Sequence, residues 1–358
     1  MTSVCRRYCV GAALQPASPL SFARAGRTPM PEQLLWTAEV FLNGLMAGVL
    51  YALVALGFVL IYKASGIFNF AQGVMALFAA MTLYGIMNGQ VPFAHLINAI
   101  FGTEIHYFGW NVPALAAIFL TMGVMVLFSW LVQRYIFRFL VGQEPIILFM
   151  ATIGLAYFLE GVGDLMWGSD IKTLEVGLPQ GINETIDAVT FEAFGYGFFI
   201  DNLDIVASIV AAILVLGLVL FAQYTKQGRA MRAVADDHQA ALSVGVSLNF
   251  IWILVWSLAG FVALVAGIMW GAKSGVQFSL SLIALKALPV LMLGGFTSIP
   301  GAIVGGLIIG VGEKLFEFLI GQPYLGGATE NWFAYMLALV FLLFRPQGLF
   351  GEKIIERV

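Results

Sequence analysis

The sequence predicts an all-α protein whose helices form a bundle that crosses a membrane several times. Hydrophobic residues make up 61% of its 358 residues and charged residues only 10%. A soluble domain has about 45–50% apolar and about 25% charged residues, so a protein this apolar could not cover its own surface in water. The apolar residues are also grouped into runs of the length that a helix needs to span a bilayer, about 20 residues. Lipid must therefore surround most of this chain.

Eight segments are predicted to span the membrane, and the last of them is short. They cover residues 36–62, 67–88, 112–132, 145–167, 203–222, 248–270, 300–318 and 328–344. A further apolar stretch, residues 282–296, is too short for an ordinary span and contains Pro289, Gly294 and Gly295. We expect a half-helix or a re-entrant segment there, which is tolerated only where protein or a cavity satisfies its backbone. The predicted fold class is thus a polytopic membrane helical bundle of eight spans, or nine if 282–296 crosses.

The distribution of Lys and Arg among the loops predicts the orientation, because these residues collect on the cytoplasmic side. They are concentrated in residues 133–144, residues 223–247 and the tail after Phe344. Residues 89–111 hold no Lys or Arg, and residues 168–202 hold six acidic residues against one lysine, so both should lie outside. The alternation is consistent from residue 67 to residue 344 if 282–296 crosses, and it places the start of the first span outside.

The N-terminal tail conflicts with this orientation. Its four arginines, Arg6, Arg7, Arg24 and Arg27, precede the first span and would lie outside. We expect residues 1–29 to be an upstream extension before a natural start at Met30, and a short targeting segment is the alternative. The predicted organisation is the extension 1–29, a transmembrane domain 30–345 that includes the loop 223–247, and a cytoplasmic tail 346–358.

Few residues are candidates for catalysis or metal binding. Cys5 and Cys9 both lie in the N-terminal tail, and the three histidines are dispersed in loops, so no disulfide framework or metal site is expected. Gly161-Val-Gly-Asp164 matches a string of the presenilin-type aspartyl proteases. That chemistry needs a second aspartate, and we identify none inside a span. The chain has no G-x-x-x-x-G-K-[ST] phosphate loop, and its net charge of −3 suggests no nucleic-acid partner. We expect no catalytic residue and no cofactor.

Polar residues inside the predicted spans need a physical reason, because a charge at the bilayer centre costs about 2.5–3.5 kcal/mol on insertion scales. Asn69 and Gln72 either line a path or break a helix, or they join helices by hydrogen bonds, and both alternatives stay open. Charged residues near the outer ends of spans are expected to reach the outer headgroups: Glu160, Asp164, Glu313 and Lys314. The candidate residues for a translocation path are Asn43, Asn69, Gln72 and Lys286.

Glycines recur at a spacing of four residues, which puts both members of a pair on one helix face and allows close helix packing. The pairs are Gly44 with Gly48, Gly301 with Gly305, and Gly306 with Gly310. Packing within the chain and packing against a partner are both compatible with this spacing.

The loop 223–247 is predicted to contain a short amphipathic helix on the cytoplasmic face. Its apolar and small residues recur at helical spacing: Met231, Val234, Ala235, His238, Ala241 and Leu242. Gly245 is a candidate for the helix C-cap. Such a helix either lies solvated on the membrane surface or docks into a partner and passes the partner's motion to the spans.

Several motifs resemble one family of membrane proteins. The run Gly228-Arg-Ala-Met-Arg-Ala-Val-Ala-Asp-Asp237 resembles the loop of the LivH-type permeases of branched-chain amino acid ABC importers. Gln239-Ala-Ala-x-x-x-Gly245 is similar to the EAA-x-x-x-G coupling pattern of ABC permeases, with Gln in place of Glu. Asn43-Gly44 with Tyr51-Ala-Leu53 resembles the family's first span. Asn69-Phe-Ala-Gln-Gly73 resembles its NFAxG motif, in which many members have His where this chain has Gln72. The stretches Leu293 to Gly306 and Arg345 to Gly351 resemble its GG-x-x-S-x-x-G-A-x-x-GG motif and its C-terminal signature.

The resemblance covers residue 30 to the end and implies a type II-like ABC importer permease in the bacterial inner membrane. It implies a second, related permease, two ATP-binding subunits and a periplasmic substrate-binding protein as partners. Residues in the coupling role would be Gly228, Arg229, Arg232, Asp236, Asp237, Ala240, Ala241 and Gly245. Residues in helix packing would be Gly44, Gly48, Gly294, Gly295, Gly301, Gly305 and Gly306. The implied substrate is a hydrophobic amino acid, with urea or a short amide as the alternative.

An ion-coupled secondary transporter is the rival from a different class. It would need an ionisable pair at the bilayer midplane and an internal repeat. The sequence shows neither clearly.

Overall fold

A computed structural model of the chain describes residues 30–102, 106–109, 111–140, 143–194, 197–236 and 238–351. The predicted extension 1–29 and the last residues of the predicted tail, 352–358, lie outside the described residues. Asp237 lies outside them as well.

The described residues form α-helices joined by turns and loops, and they contain isolated β-bridges but no β-strand. The helices are α1 (Met30–Ser65), α2 (Gln72–Met87), α3 (Ala94–Phe101), α4 (Ala114–Tyr135), α5 (Pro145–Trp167), α6 (Glu184–Phe194), α7 (Asn202–Tyr224), α8 (Lys226–Asp236), α9 (His238–Ser243), α10 (Leu248–Ser274), α11 (Ile283–Gly294), α12 (Ile299–Phe316), α13 (Gln322–Leu325) and α14 (Glu330–Phe344). The predicted all-α membrane bundle is confirmed.

Among the described residues, five helices are long and apolar enough to cross a membrane: α1, α4, α5, α7 and α10. The pair α11–α12 adds a sixth if it is counted as one span, although the two helices meet at an angle of 114°. The other two predicted spans fall on α2 and α14, which are apolar but shorter. Length and composition alone thus show five or six spans, and the predicted count of eight or nine is not confirmed.

Of the five long helices, α1 and α10 are buried most deeply in the bundle. Within their most apolar windows 78% of the residues are buried inside the chain, against 33% for α4 and α5 and 22% for α7. Helix α1 packs along α12 and also contacts α7, α10 and α11, while α10 contacts α2 and α4. The outward faces of α4, α5 and α7 carry exposed large apolar side chains, as expected for helices in contact with lipid.

The span predicted over 67–88 begins later than expected, because the chain between α1 and α2 is not helical. Gly66 has a φ of +68°, a conformation that glycine adopts without strain. The Asn69 side chain then accepts a hydrogen bond from the Ala71 backbone N–H at 3.1 Å, as short polar side chains do in turns. Helix α2 therefore starts only at Gln72.

The short stretch predicted over 282–296 is a twelve-residue helix, α11, preceded by the 3-10 helix Phe278–Leu282. Pro289 lies inside α11 without ending it. A proline has no N–H for the carbonyl four residues earlier, so the Leu285 carbonyl loses its helical partner. The Tyr335 hydroxyl of α14 donates to that carbonyl at 2.6 Å. Helix α14 thus satisfies the group that Pro289 leaves free.

The turn between α11 and α12 is joined to the C-terminal segment. Gly295 has a φ of +101°. The N–H groups of Leu349 and Phe350 donate to the carbonyls of Leu293 and Gly294 at 2.8 and 3.2 Å. Two motifs about 50 residues apart in the sequence therefore form one backbone unit.

Candidate transport path and coupling surface

Asn69 and Gln72 lie at the non-helical break and are enclosed by the chain. Their exposed fractions are 0% and 1%. The Asn69 amide donates to the Gln72 side-chain oxygen at 3.3 Å, and the Gln72 amide donates to the Ala259 carbonyl of α10 at 3.3 Å. In this arrangement they break the helix and link it to α10. A role in lining a path stays a prediction for both residues.

A side chain that no sequence pattern predicted braces the other side of this break. Thr152 of α5 is fully buried. Its hydroxyl accepts a hydrogen bond from the Phe70 N–H at 3.1 Å and lies 3.1 Å from the Phe68 carbonyl oxygen. Non-helical backbone at membrane depth is tolerated only where protein or water satisfies it. Helices α5 and α10 satisfy these backbone and side-chain groups from two sides. A single threonine in an apolar span carries no sequence signal of such a role.

Lys286 pairs with Glu313, and this overturns the expectation for Glu313. The carboxylate was expected to reach the outer headgroups, but Glu313 is only 1% exposed. The Lys286 Nζ lies 2.9 Å from Glu313 Oε1. The Tyr51 hydroxyl donates to the same oxygen at 3.3 Å and accepts from Lys286 at 3.3 Å. A buried carboxylate needs such partners, since it cannot reach water.

The same contacts change the interpretation of charge inside the spans. The sequence showed no clear intramembrane ion pair, because Lys286 and Glu313 are 27 residues apart and belong to different segments. The close packing of α11 on α12 brings them together. The Lys286 side chain keeps 30% of its surface exposed. Lys314 takes a separate partner, Glu330, at 2.7 Å.

Asn43, the remaining candidate for the path, lies half-buried on α1 next to Gly44. Glycines on this helix meet glycines on α12. A Cβ atom added to Gly48 would lie 2.6 Å from the Gly306 carbonyl oxygen, and one added to Gly44 would lie 2.8 Å from Val311 Cα. The backbones of α1 and α12 are therefore in direct contact within the chain.

The remaining glycines of the packing set hold α11, α12 and the C-terminal segment together. A Cβ on Gly305 would lie 2.6 Å from the Val290 carbonyl oxygen, and one on Gly295 would lie 2.9 Å from the Gly351 nitrogen. Gly294 and Gly301 approach each other so closely that neither has room for a Cβ. These positions allow the sharp bend between α11 and α12.

The predicted amphipathic helix is found as two short helices, α8 and α9, with Asp237 between them. Met231, Val234 and Ala241 are buried, and α8 packs against α1, α7 and α10. Gly228 is buried too, since its Cα lies against the last turn of α7, where a Cβ would lie 2.6 Å from Ala222 Cα. Gly245 ends the segment with a φ of +88°.

The opposite face of α8–α9 is open to solvent. Arg229, Arg232 and Ala240 are exposed. The Arg232 guanidinium donates to the Gln223 carbonyl at 3.2 Å, which satisfies one of the free carbonyls at the end of α7. The side chain of Asp236 and all of Asp237 lie outside the described residues, so their coupling role stays a prediction.

A cavity of about 260 Å³ links this surface to the bundle. Its walls include Lys63 at the end of α1, Arg232 of α8, Ser298 at the start of α12, and Phe350 of the C-terminal segment. The last turns of α7 line it as well, so five separate segments meet here. A displacement of α8 would therefore also displace the end of α1 and the turn between α11 and α12.

The geometry gives little support to a proteolytic site. Asp164 is exposed on α5. Asp204 lies in the first turn of α7 and is a second aspartate inside a span, so the expectation that there is none was wrong. Its carboxylate is engaged in an ion pair with Lys273 at 2.5 Å. No group of three or more potential metal ligands is found among the described residues.

Comparison with known proteins gives a consistent result. A family model described as "Branched-chain amino acid transport system / permease component" matches residues 40–345. The chain is 28% identical over 334 residues to the high-affinity branched-chain amino acid transport system permease protein LivH of Escherichia coli K12, covering 92% of this chain and 100% of that protein. It is 30% identical over 333 residues to the corresponding permease protein BraD of Pseudomonas aeruginosa, with the same coverage.

A more distant relative is the probable branched-chain amino acid transport permease protein LivH of Methanocaldococcus jannaschii, 26% identical over 84% of this chain and 89% of that protein. These matches confirm the resemblance to the LivH-type permeases, and the apolar helices make the chain a multi-pass membrane protein. The chain belongs to the family of branched-chain amino acid transport system permease components.

Proposed function

We propose that this chain is the membrane-spanning permease subunit of an ATP-driven importer in the bacterial inner membrane, and that it moves a hydrophobic amino acid. The relatives named as branched-chain amino acid permeases match nearly its whole length, which supports the substrate class. The observation that carries the mechanism is α8, whose apolar face is docked on α1, α7 and α10 while Arg229 and Arg232 face solvent. A partner that pushes on this helix would move three spans at once.

The proposal includes the partners and the absence of catalysis in this chain. A second related permease would complete the pathway, two ATP-binding subunits would dock at α8–α9, and a periplasmic binding protein would deliver the substrate. Residues 228–245 would couple the ATPases to the spans, and the chain itself would carry no catalytic chemistry, cofactor or metal. Residues 1–29 would be an extension, and residues 346–358 a cytoplasmic tail.

We also propose that the chain crosses the membrane nine times, with α2, α11, α12 and α14 as separate crossings. Helix α2 is extended by the braced segment 66–71, and α11 by the 3-10 helix before it, so each crossing is longer than its helix. The contacts agree with such an alternation. Lys273 at the end of α10 pairs with Asp204 at the start of α7, which places those two helix ends on the same side.

Reconstitution tests the proposal directly. The chain, its partner permease and the two ATPases are placed in vesicles with the binding protein and radiolabelled leucine. We expect leucine uptake that requires ATP. Uptake that proceeds without ATP and stops when a proton or sodium gradient is collapsed would contradict the proposal.

One observation favours the ion-coupled alternative, since the Lys286–Glu313 pair is the kind of intramembrane ion pair such transporters use. The same experiment separates the two mechanisms. Replacing leucine by urea and by short amides in the uptake assay tests the other alternative, a permease for those solutes.

The coupling role of α8 has its own test. We expect Arg232 and Asp236, replaced together by alanine, to lower ATP-dependent uptake strongly while the protein remains in the membrane, because α8 then lacks the exposed guanidinium of Arg232 that a partner would contact. Lys226, also exposed on α8, replaced by alanine is the control. Uptake that is unchanged in the double variant would remove these residues from the coupling role.

A further inference from the structure

A cavity of about 290 Å³ lies between the non-helical segment 66–71 and the 3-10 helix Phe278–Leu282. Its walls come from the segment just before α2 and the start of α2, from α5, and from the 3-10 helix Phe278–Leu282 with the start of α11. They include Phe70, Val74, Ala156, Ser281 and Leu285. Its size is close to the lower end of the roughly 300–1,000 Å³ typical of small-molecule sites. It therefore suits one small solute.

Glu160 supplies the only charged side chain in the wall of this cavity. It lies seven residues before the end of α5 at Trp167, which is about 10 Å along a helix. The other polar groups in the wall are hydroxyls, and that of Ser281 already donates to the Phe278 carbonyl at 2.7 Å. The cavity is thus an apolar chamber with one carboxylate.

No residue of the described ranges forms a hydrogen bond or ion pair with Glu160, in contrast to other charged groups of the bundle. Asp204 has Lys273, Glu313 has Lys286, and Lys314 has Glu330. An ionisable group inside a membrane helix is expensive and usually faces a partner or a water-filled path. A ligand bound in the cavity would supply the partner that Glu160 lacks.

The chemistry of the cavity selects its ligand. A single carboxylate attracts a cation, and the apolar walls favour a cation that carries a hydrophobic group. A metal ion would require several oxygen ligands, and no suitable cluster is found among the described residues. A primary ammonium attached to an apolar side chain meets both conditions.

We propose that Glu160 binds the α-ammonium group of the amino acid during its passage, with the aliphatic side chain held against Phe70, Val74 and Leu285. This rests on the proposed function and deepens it by assigning a substrate contact within the permease. The break at 66–71 and the 3-10 helix border the site, as expected for irregular backbone that lines a cavity.

The test is ATP-dependent leucine uptake by the reconstituted complex with Glu160→Gln, a variant that keeps the size of the side chain and removes its charge. We expect uptake to fall about tenfold or more, the effect of losing a hydrogen bond to a charged group, while ATP hydrolysis stimulated by the binding protein continues. The control is Asp164→Asn, one turn away and exposed, which should transport like the unmodified protein.

Glu160→Asp separates charge from structure, because it keeps the carboxylate on a shorter side chain. It should retain more uptake than Glu160→Gln, and thermal unfolding should give both variants the midpoint of the unmodified protein. Normal uptake by Glu160→Gln, or equal losses in the two variants, would overturn the site and leave the proposed function standing. Absence of ATP-driven amino acid uptake by the unmodified complex would overturn both.

Discussion

Replacing Gly48 by alanine should force α1 and α12 apart. The new Cβ would lie 2.6 Å from the Gly306 carbonyl oxygen and 2.9 Å from Leu307 Cα. An ordinary contact begins at 3.4 Å, so the backbones would have to separate by about 0.8 Å. Neither obstacle is a side chain that could turn away, and overpacking of this kind typically costs about 1–3 kcal/mol.

The assay is thermal unfolding of the purified protein in detergent, followed by the fluorescence of its eight tryptophans. We expect the midpoint of Gly48→Ala to fall by several degrees, since 1 kcal/mol shifts the midpoint of a 150–250-residue protein by roughly 2–4 °C. Gly154→Ala is the matched control, because it lies inside a helix and its Cβ would meet nothing within 4 Å. Equal midpoints for the two variants would refute the argument that backbone contact between α1 and α12 stabilises the bundle.

Two further predictions concern partners of polar groups inside the bundle. Glu313→Gln should lower the free energy of unfolding by less than the roughly 3–5 kcal/mol that breaking a fully buried ion pair costs, because Lys286 is partly exposed. Replacing Lys286 by methionine in the same protein should restore part of this loss. A double variant less stable than Glu313→Gln alone would contradict the pairing. Tyr335→Phe leaves the Leu285 carbonyl without a donor and should cost about 1–3 kcal/mol in thermal unfolding, whereas Tyr324→Phe, at an exposed site, should change nothing. A midpoint for Tyr335→Phe equal to that of Tyr324→Phe would show that α14 does not compensate for Pro289.

The positions of the long helices could be predicted from hydrophobicity, but their ends could not. The start of α2 moved from 67 to 72 because Asn69 and Thr152 hold the preceding backbone in a non-helical form. Thr152 is 82 positions from Phe70, whose N–H it binds. The hydrophobicity of the segment is the same in either conformation, so it carries no signal of the break.

The candidate site was predicted in part. The amphipathic segment at 223–247 was visible because its apolar residues have helical spacing in an otherwise polar loop. Glu313 was misjudged, since position near the end of a span suggested contact with headgroups, whereas packing against α1 and α11 encloses it. The two residues that hydrogen-bond its carboxylate, Tyr51 and Lys286, come from separate segments.

The sequence by itself determined that this chain lies in a membrane, that it is helical and that it belongs to a family of permeases. Composition and run length suffice for the first two, because lipid offers no hydrogen bonds and a spanning segment must satisfy its own backbone. Motifs suffice for the third. Only the tertiary structure decided which polar groups meet: Lys286 with Glu313, Tyr335 with the Leu285 carbonyl, and Glu160 with an open cavity. Helices that are apolar on all sides have no polar face to reveal which way they turn, so packing alone sets those contacts.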